Sequence, residues 1–311
     1  MADLQGKTVA ILGYGNQGRA QALNLRDSGV NVVIGARPGR GATQAETDGF
    51  TPIPFSDAVM ISQVVCFLLP DQVISEVFKS LQPALKGKHV GFSHGFAYVF
   101  GDVPKDPEIG YFLAGPKGAG ALLRQEYLAG PGLPGVFAVE SKLAETREIA
   151  LAYCKAVGIA NRCLIETSFR EETECDLFGE QVVLCGGIPR MMEMAFDTLV
   201  ANGHSPEMAF FECCYEARLI LELWMKNGPG GLSKRISPTA FYGGLERAKD
   251  ILPEESSKKE FQKIFDSIRS GAFAKELMKE ASDGFPVSKA EQSRLSQTLL
   301  EETYQKLKDK I

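Results

Sequence analysis

The sequence predicts an α/β chain in two parts, a parallel sheet wrapped by helices followed by an all-helical segment. Short β-branched runs alternate with helical stretches from Lys7 to about Thr167, and a glycine-rich turn joins the first run to its helix. After Thr167 the strand signal stops and long amphipathic patterns take over. The expected parts are therefore 1–167 and 168–311 of a 311-residue chain, a length suited to about two domains.

Taken in order, the candidate strands are Thr8–Leu12, Asn31–Ile34, Val64–Leu68, His89–Phe92, Tyr111–Ala114 and Gly135–Val139. The helical patterns of the second part are Glu172–Leu184, Arg190–Asn202, Pro206–Asn227, Glu255–Ser270 and Ser288–Lys308, with a Gly/Pro/Ser-rich loop expected over Asn227–Gly244.

With 34 Lys+Arg against 39 Asp+Glu the net charge is -5, which excludes a nucleic-acid protein held by bulk positive charge. No segment is apolar enough to span a bilayer, and the N-terminus lacks the pattern of a secretory signal. The 7 cysteines form no C-x-x-C pair and are expected to be reduced thiols of a cytoplasmic protein, most of them packing residues, while 3 histidines make a His-rich zinc site improbable.

Gly13-Tyr14-Gly15-Asn16-Gln17-Gly18 follows the first strand and opens a helix. In that setting Gly13 makes the tight turn, Gly15 admits a pyrophosphate, and Gly18 lets helix and strand pack closely, as in a Rossmann-like dinucleotide-binding domain. The end of the second strand runs Gly35-Ala36-Arg37-Pro38-Gly39-Arg40-Gly41-Ala42-Thr43 and has no carboxylate for ribose hydroxyls. Arg37 and Arg40 suit a 2′-phosphate instead, which favours NADP(H) over NAD.

His94 and Lys117 follow successive strands at the sheet's carboxyl edge, where ligands of such folds bind and where acid–base or substrate-orienting groups are expected. Asp71 follows the third strand and is expected near the nicotinamide. In the helical part Asp176 and Glu180 are four residues apart, as are Glu212 and Glu216, so each pair shares a helix face amid apolar neighbours. Like charges so placed repel unless a cation or protons compensate, and oxygen-only ligands suit a hard ion such as Mg2+, with a two-metal site one arrangement.

Together these segments resemble ketol-acid reductoisomerase, the acetohydroxy acid isomeroreductase of branched-chain amino acid (isoleucine, valine) biosynthesis. The resemblance runs through Gly-Tyr-Gly-Asn-Gln-Gly, Leu-Leu-Pro-Asp, His-Gly-Phe, Pro-Lys-Gly, Glu-Glu-Thr-Glu-x-Asp-Leu-Phe-Gly-Glu-Gln, Pro-Glu-Met-Ala-x-Phe-Glu-Cys and Ile-Ser-x-Thr-Ala. It implies the short class of the family, a knotted helical C-terminal domain, and a homodimer or higher homo-oligomer whose active site draws on two subunits. It further implies Mg2+ on Asp176 and Glu180 of one subunit with Glu212 and Glu216 of its partner, Ser237 on the substrate, and His94 and Lys117 in the network around the reacting carbon. Tyr14, Gly15, Asn16, Gln17, Arg37, Asp71, Gln72, Val73, Ile74 and Gly120 would line NADPH, with Thr43 beside Arg40. The implied reaction converts a 2-hydroxy-2-alkyl-3-oxo acid to a 2,3-dihydroxy acid by alkyl migration and hydride reduction, a carboxylate such as Glu216 taking the hydroxyl proton.

The sequence departs from the family's usual Asn-Ile-His-Phe at Ala97-Tyr98-Val99-Phe100, from Pro-Gly-His at Ala119-Gly120-Ala121, and from Asn-Thr-Ala-Glu-Tyr-Gly-Asp at Pro238-Thr239-Ala240-Phe241-Tyr242-Gly243-Gly244. These changes leave open the alkyl group of the substrate. The residues also admit an NADPH-dependent reductase of a ready-made 2-keto acid or imine, and a dinucleotide-binding protein without catalysis.

Overall fold

In the computed structural model, which describes residues 4–311, the first apolar run becomes the second strand from one edge of a seven-stranded sheet. The elements of the first part are β1 (Thr8–Leu12), α1 (Asn16–Asp27), β2 (Asn31–Gly35), α2 (Arg40–Thr47), α3 (Phe55–Met60), β3 (Val64–Phe67), α4 (Asp71–Leu85), β4 (His89–Phe92), α5 (Phe96–Val99), β5 (Gly110–Pro116), α6 (Gly120–Ala129), β6 (Gly135–Glu140), α7 (Thr146–Val157) and β7 (Leu164–Glu166). The strand order is β2-β1-β3-β4-β5-β6-β7, so succession reverses direction between β1 and β3. Leu12 sits opposite both Gly35 and Phe67, which aligns the carboxyl ends of these strands into one edge.

Alternate side chains leave the sheet on opposite faces and build two apolar layers. Val9, Ile11, Val64, Cys66 and Phe112 pack with Ala22 and Leu25 of α1 and with Ile149 and Tyr153 of α7. Ala10, Leu12, Val65, Phe67, Val90 and Phe92 pack with Ile74, Phe78, Leu81 and Leu85 of α4. All these residues are nine-tenths or more buried, which is why the strands read as unbroken apolar runs.

The sheet is not wholly parallel. β6 runs antiparallel to β5, with Pro116 opposite Gly135, because the intervening chain returns to the edge it left: α6 packs beside α1 instead of crossing a sheet face. A short β7, parallel to β6, was not anticipated from the sequence.

The second part is helical: α8 (Phe169–Gly179), α9 (Gly187–Ala201), α10 (Pro206–Phe210), α11 (Glu216–Leu232), α12 (Pro238–Ile251), α13 (Glu254–Arg269), α14 (Ala272–Ser282), α15 (Pro286–Leu295) and α16 (Leu299–Leu307). Two π-helical stretches, Glu180–Leu184 and Phe211–Tyr215, interrupt the expected α pattern. The compact units meet between Cys175 and Asp176, eight residues beyond the expected break, because Phe169 is fully buried in the core of the first unit.

The loop expected over Asn227–Gly244 is largely helix. Backbone helicity resumes after a break at Gly228 (φ 71°) and runs to Leu232. Ser237 then starts α12, its side chain accepting the Ala240 N–H, with Pro238 at the first helical position. The pattern expected over Ser288–Lys308 is likewise two helices, restarted by the Thr298 cap on Glu301 N–H. Of the cysteines, all free, Cys66, Cys154 and Cys214 are buried as expected, whereas Cys163, Cys175 and Cys185 are exposed.

Candidate active site

The reversal between β1 and β3 opens a crevice at the carboxyl edge of the sheet, the place where open α/β sheets bind ligands. A cavity of about 660 Å3 lies there, walled by Gly13, Tyr14, Gly15 and Asn16, by Arg37 and Arg40, by Leu68–Pro70, and by Gly120 and Arg124. Gly13 has φ 98°, and a Cβ on it would come 2.7 Å from the Leu68 carbonyl oxygen. A Cβ on Gly18 would fall 2.2 Å from the Gly13 carbonyl oxygen, so only glycine lets α1 pack this closely on the turn, whereas nothing lies within 4 Å of one built on Gly15. The turn is thus tight where it meets protein and open where a pyrophosphate would approach.

Of the other expected cofactor residues, Gln17, Gly18, Thr43, Asp71, Gln72, Val73 and Ile74 are not on the cavity wall. Gln17 donates its side-chain N–H to the Gly118 carbonyl at 3.0 Å, and Ile74, on α4, is buried in the core. A Cβ on Gly120 would lie 2.0 Å from the Asn16 carbonyl oxygen, which makes this glycine the contact between α6 and the turn.

His94 and Lys117, brought to the same edge by the parallel β4 and β5, share a partner that the sequence reading did not single out. Glu172 of α8, with its side chain only 2% exposed, accepts from His94 Nδ1 at 3.1 Å, from Lys117 Nζ at 3.2 Å and from the Gly95 N–H at 2.9 Å. Burial raises its pKa, but the His94 hydrogen bond and charge, the Lys117 ammonium and the Gly95 N–H outweigh burial and hold the carboxyl below its ordinary value. Glu172 is thus a buried carboxylate with two basic partners. A signal was present, since Glu172, Asp176 and Glu180 form an i, i+4, i+8 stripe.

Asp176 is half-buried on α8, and Glu180 opens the first π-helical stretch and is exposed. Glu212 lies in the second π-helical stretch and Glu216 directly follows it, both exposed. Each pair therefore spans one boundary of a π-helical segment, a feature frequent at functional sites. Among the described residues, no three of these four carboxylates gather closely enough in one chain to hold an ion. Ser237 is exposed at the start of α12, where its oxygen accepts from Ala240 N–H at 3.1 Å.

Comparison with known proteins places these features in context. The profile described as acetohydroxy acid isomeroreductase, NADPH-binding domain, matches residues 3–163, and the profile for the ketol-acid reductoisomerase C-terminal domain matches residues 169–311. The ketol-acid reductoisomerase (NADP(+)) of Methanocaldococcus jannaschii is 42% identical over 287 residues, 91% of this chain and 87% of its own. The structure of an NADH-preferring ketol-acid reductoisomerase from an uncultured archaeon has a TM-score of 0.94 at 36% identity, covering 99% of this chain and 96% of that one. A semialdehyde dehydrogenase NAD-binding protein from Cupriavidus necator, 21% identical with a TM-score of 0.68 over 85% of this chain and 99% of its own, shares the fold.

Proposed function

The chain belongs to the ketol-acid reductoisomerase family and is an oxidoreductase with an NADPH-binding domain, and on that premise we propose that it converts 2-acetolactate-type 2-hydroxy-2-alkyl-3-oxo acids to 2,3-dihydroxy acids, using NADPH and Mg2+, in branched-chain amino acid biosynthesis. The observation that carries this reading is Glu172, a buried carboxylate holding His94 and Lys117 at the edge where a substrate meets the cofactor. Structural roles alone rarely justify the desolvation of such a cluster.

The donor set fits magnesium. Asp176, Glu180, Glu212 and Glu216 offer only hard oxygen ligands, in pairs that each span one boundary of a π-helical segment. Because the pairs do not gather within one chain, the proposal takes Asp176 and Glu180 from one subunit with Glu212 and Glu216 from a second copy. An unpartnered apolar surface supports that second copy: Leu219, Ile220, Leu221, Trp224 and Met225 of α11 are all at least 41% exposed. The bound groups supply Lewis-acid polarisation of the substrate oxygens and the hydride, respectively.

This chain's residues do the rest. Gly15 admits the pyrophosphate, and Arg37 and Arg40 face the 2′-phosphate in a cleft where the end of β2 has no carboxylate to favour NAD. Glu172 accepts from His94 Nδ1, which fixes the imidazole tautomer and orients the ring for proton exchange with substrate. Lys117 Nζ adds positive charge where oxygen charge develops, and Glu216 takes the hydroxyl proton that starts migration. Ser237, its oxygen occupied by the cap, keeps its hydroxyl proton to donate to the substrate.

No helix among the described residues is long and apolar enough to cross a membrane, which accords with the cytoplasmic setting proposed for this pathway. The test is NADPH oxidation by the purified protein with 2-acetolactate, with its rearranged product 3-hydroxy-3-methyl-2-oxobutanoate, and with ketopantoate. Turnover of acetolactate that vanishes on chelation is the expected result. Turnover of the ready-made keto acids alone would overturn the isomerisation and leave a simple reductase.

A further inference from the structure

The cofactor cleft has a side wall whose support lies outside the cleft. The wall is the start of α2, with Arg37 and Arg40, and Gln44 one turn further on. The support is Asp48, directly after the helix. Its carboxylate, 12% exposed, accepts a two-pronged contact from Arg19, Nε at 2.6 Å and NH2 at 2.9 Å, and a third bond from the Tyr14 hydroxyl at 3.0 Å. The Arg19 fork, outweighing burial and joined by Tyr14 and Gln44, lowers the Asp48 pKa to about 2, so the clamp is charged at any working pH.

A second tether acts on the backbone of the same residue. Arg26 NH1 donates to the Asp48 carbonyl at 2.6 Å, and its guanidinium lies 5.0 Å over the Phe50 ring, which meets Tyr14 edge-on at 5.9 Å. At the other end of the helix, a Cβ on Gly41 would sit 3.3 Å from the Tyr14 carbonyl oxygen, so the first turn of α2 lies close against the glycine-rich turn. An eight-residue helix is a rod of about 12 Å, and a shift at its tethered end is passed to the end that carries Arg40.

We propose that Asp48 is a positioning residue for the 2′-phosphate of the cofactor: by tying the C-terminal end of α2 to Arg19 and Tyr14, it sets where Arg37 and Arg40 stand on the cleft wall. The inference rests on the NADPH reading above. It assigns cofactor preference partly to a carboxylate that touches no cofactor, and it gives Arg19 a task other than binding phosphate.

The test compares Kd values for NADPH and NADH, by nucleotide fluorescence titration, in the full-length parent and in Asp48→Asn and Arg26→Ala variants, with melting temperature measured alongside. The parent is expected to prefer NADPH. Asp48→Asn should lower that preference about tenfold by weakening NADPH while NADH stays within about twofold, the scale expected when a charged contact is displaced by a fraction of an ångström. Arg26→Ala, which loosens the same helix without releasing Arg19, should lower it about threefold in the same direction. An unchanged preference with a lower melting temperature would make Asp48 merely structural and overturn the proposal, as would equal weakening of both nucleotides. Tighter NADPH binding by Asp48→Asn would overturn it too, since the freed Arg19 charge would then outweigh the position of the wall. A parent with no preference for NADPH overturns the cofactor reading itself, and with it this proposal, before any variant is compared.

Discussion

Replacing Glu172 by glutamine keeps the shape of the side chain and removes its charge, so it isolates what the buried carboxylate does. A hydrogen bond to a charged group contributes about 1.5–3 kcal/mol. His94 and Lys117 are 22% and 38% exposed, so solvent screening sets both bonds at the low end of that range. Glutamine still accepts from the Gly95 N–H, and the loss is then about 2–3 kcal/mol, or a fall in melting temperature of about 5–10 °C. If the same energy is spent in placing His94 and Lys117 for the reaction, turnover falls about 30- to 160-fold. The pH dependence has a definite sign. Because the Glu172 pKa is depressed, its contribution is complete above the ordinary carboxylate value and is lost as pH falls through the folded-state value, and Glu172→Gln should abolish that acid-side loss. The assays are urea unfolding as a function of pH and turnover of acetolactate with Mg2+. A glutamine variant within about 0.5 kcal/mol of the parent, with parental turnover, would refute the reasoning.

Gly120→Ala should cost about 2 kcal/mol, because the new methyl meets the Asn16 carbonyl at 2.0 Å, and should weaken NADPH binding; parental affinity in a titration would contradict the close approach. His89 is buried with its Nδ1 3.0 Å from Thr146 Oγ1, and burial, followed by the Lys7 charge, lowers its pKa despite Glu145. The first unit should therefore gain stability as pH rises from that depressed value through about 6.5, a slope His89→Gln removes; urea midpoints across that window measure it. Leu221→Arg on the exposed face of α11 should shift the sedimenting species to the monomer and abolish turnover, and an unchanged, active assembly would remove this face from the subunit contact.

What was legible in the sequence is what is decided within a few residues. The glycine turn is local, since Gly13 and Gly18 meet each other and Leu68 through backbone atoms. The carboxylate pairs are local too, because four-residue spacing survives both an α and a π period. Glu172 was hidden because its partners His94 and Lys117 lie 78 and 55 residues away, and in a run of glutamates its burial has no local mark. Asp48 was hidden likewise, 29 residues from Arg19. The antiparallel direction of β6 is not legible because apolar runs look alike in either direction. Helix α12 escaped because the glycines and proline between Asn227 and Gly231 masked the Ser-Pro start that follows.

The departures from the family's usual residues do not all bear on the substrate. In the segment Ala97-Tyr98-Val99-Phe100, Ala97 and Tyr98 are 1% and 5% exposed, and the Tyr98 ring lies 4.1 Å from that of Phe169 while its hydroxyl donates to Glu140 at 2.8 Å. Tyr98 therefore belongs to the core that anchors α8, not to a substrate wall. Its change from the usual residue is absorbed by packing around the very helix that carries Glu172. Phe241 and Tyr242, in the altered segment after Ser237, are 44% and 69% exposed, so nothing within their own helical unit explains their apolar character. On the two-subunit reading proposed above, a second copy or the substrate's alkyl group would cover these rings, and that segment is where a changed substrate preference would be written.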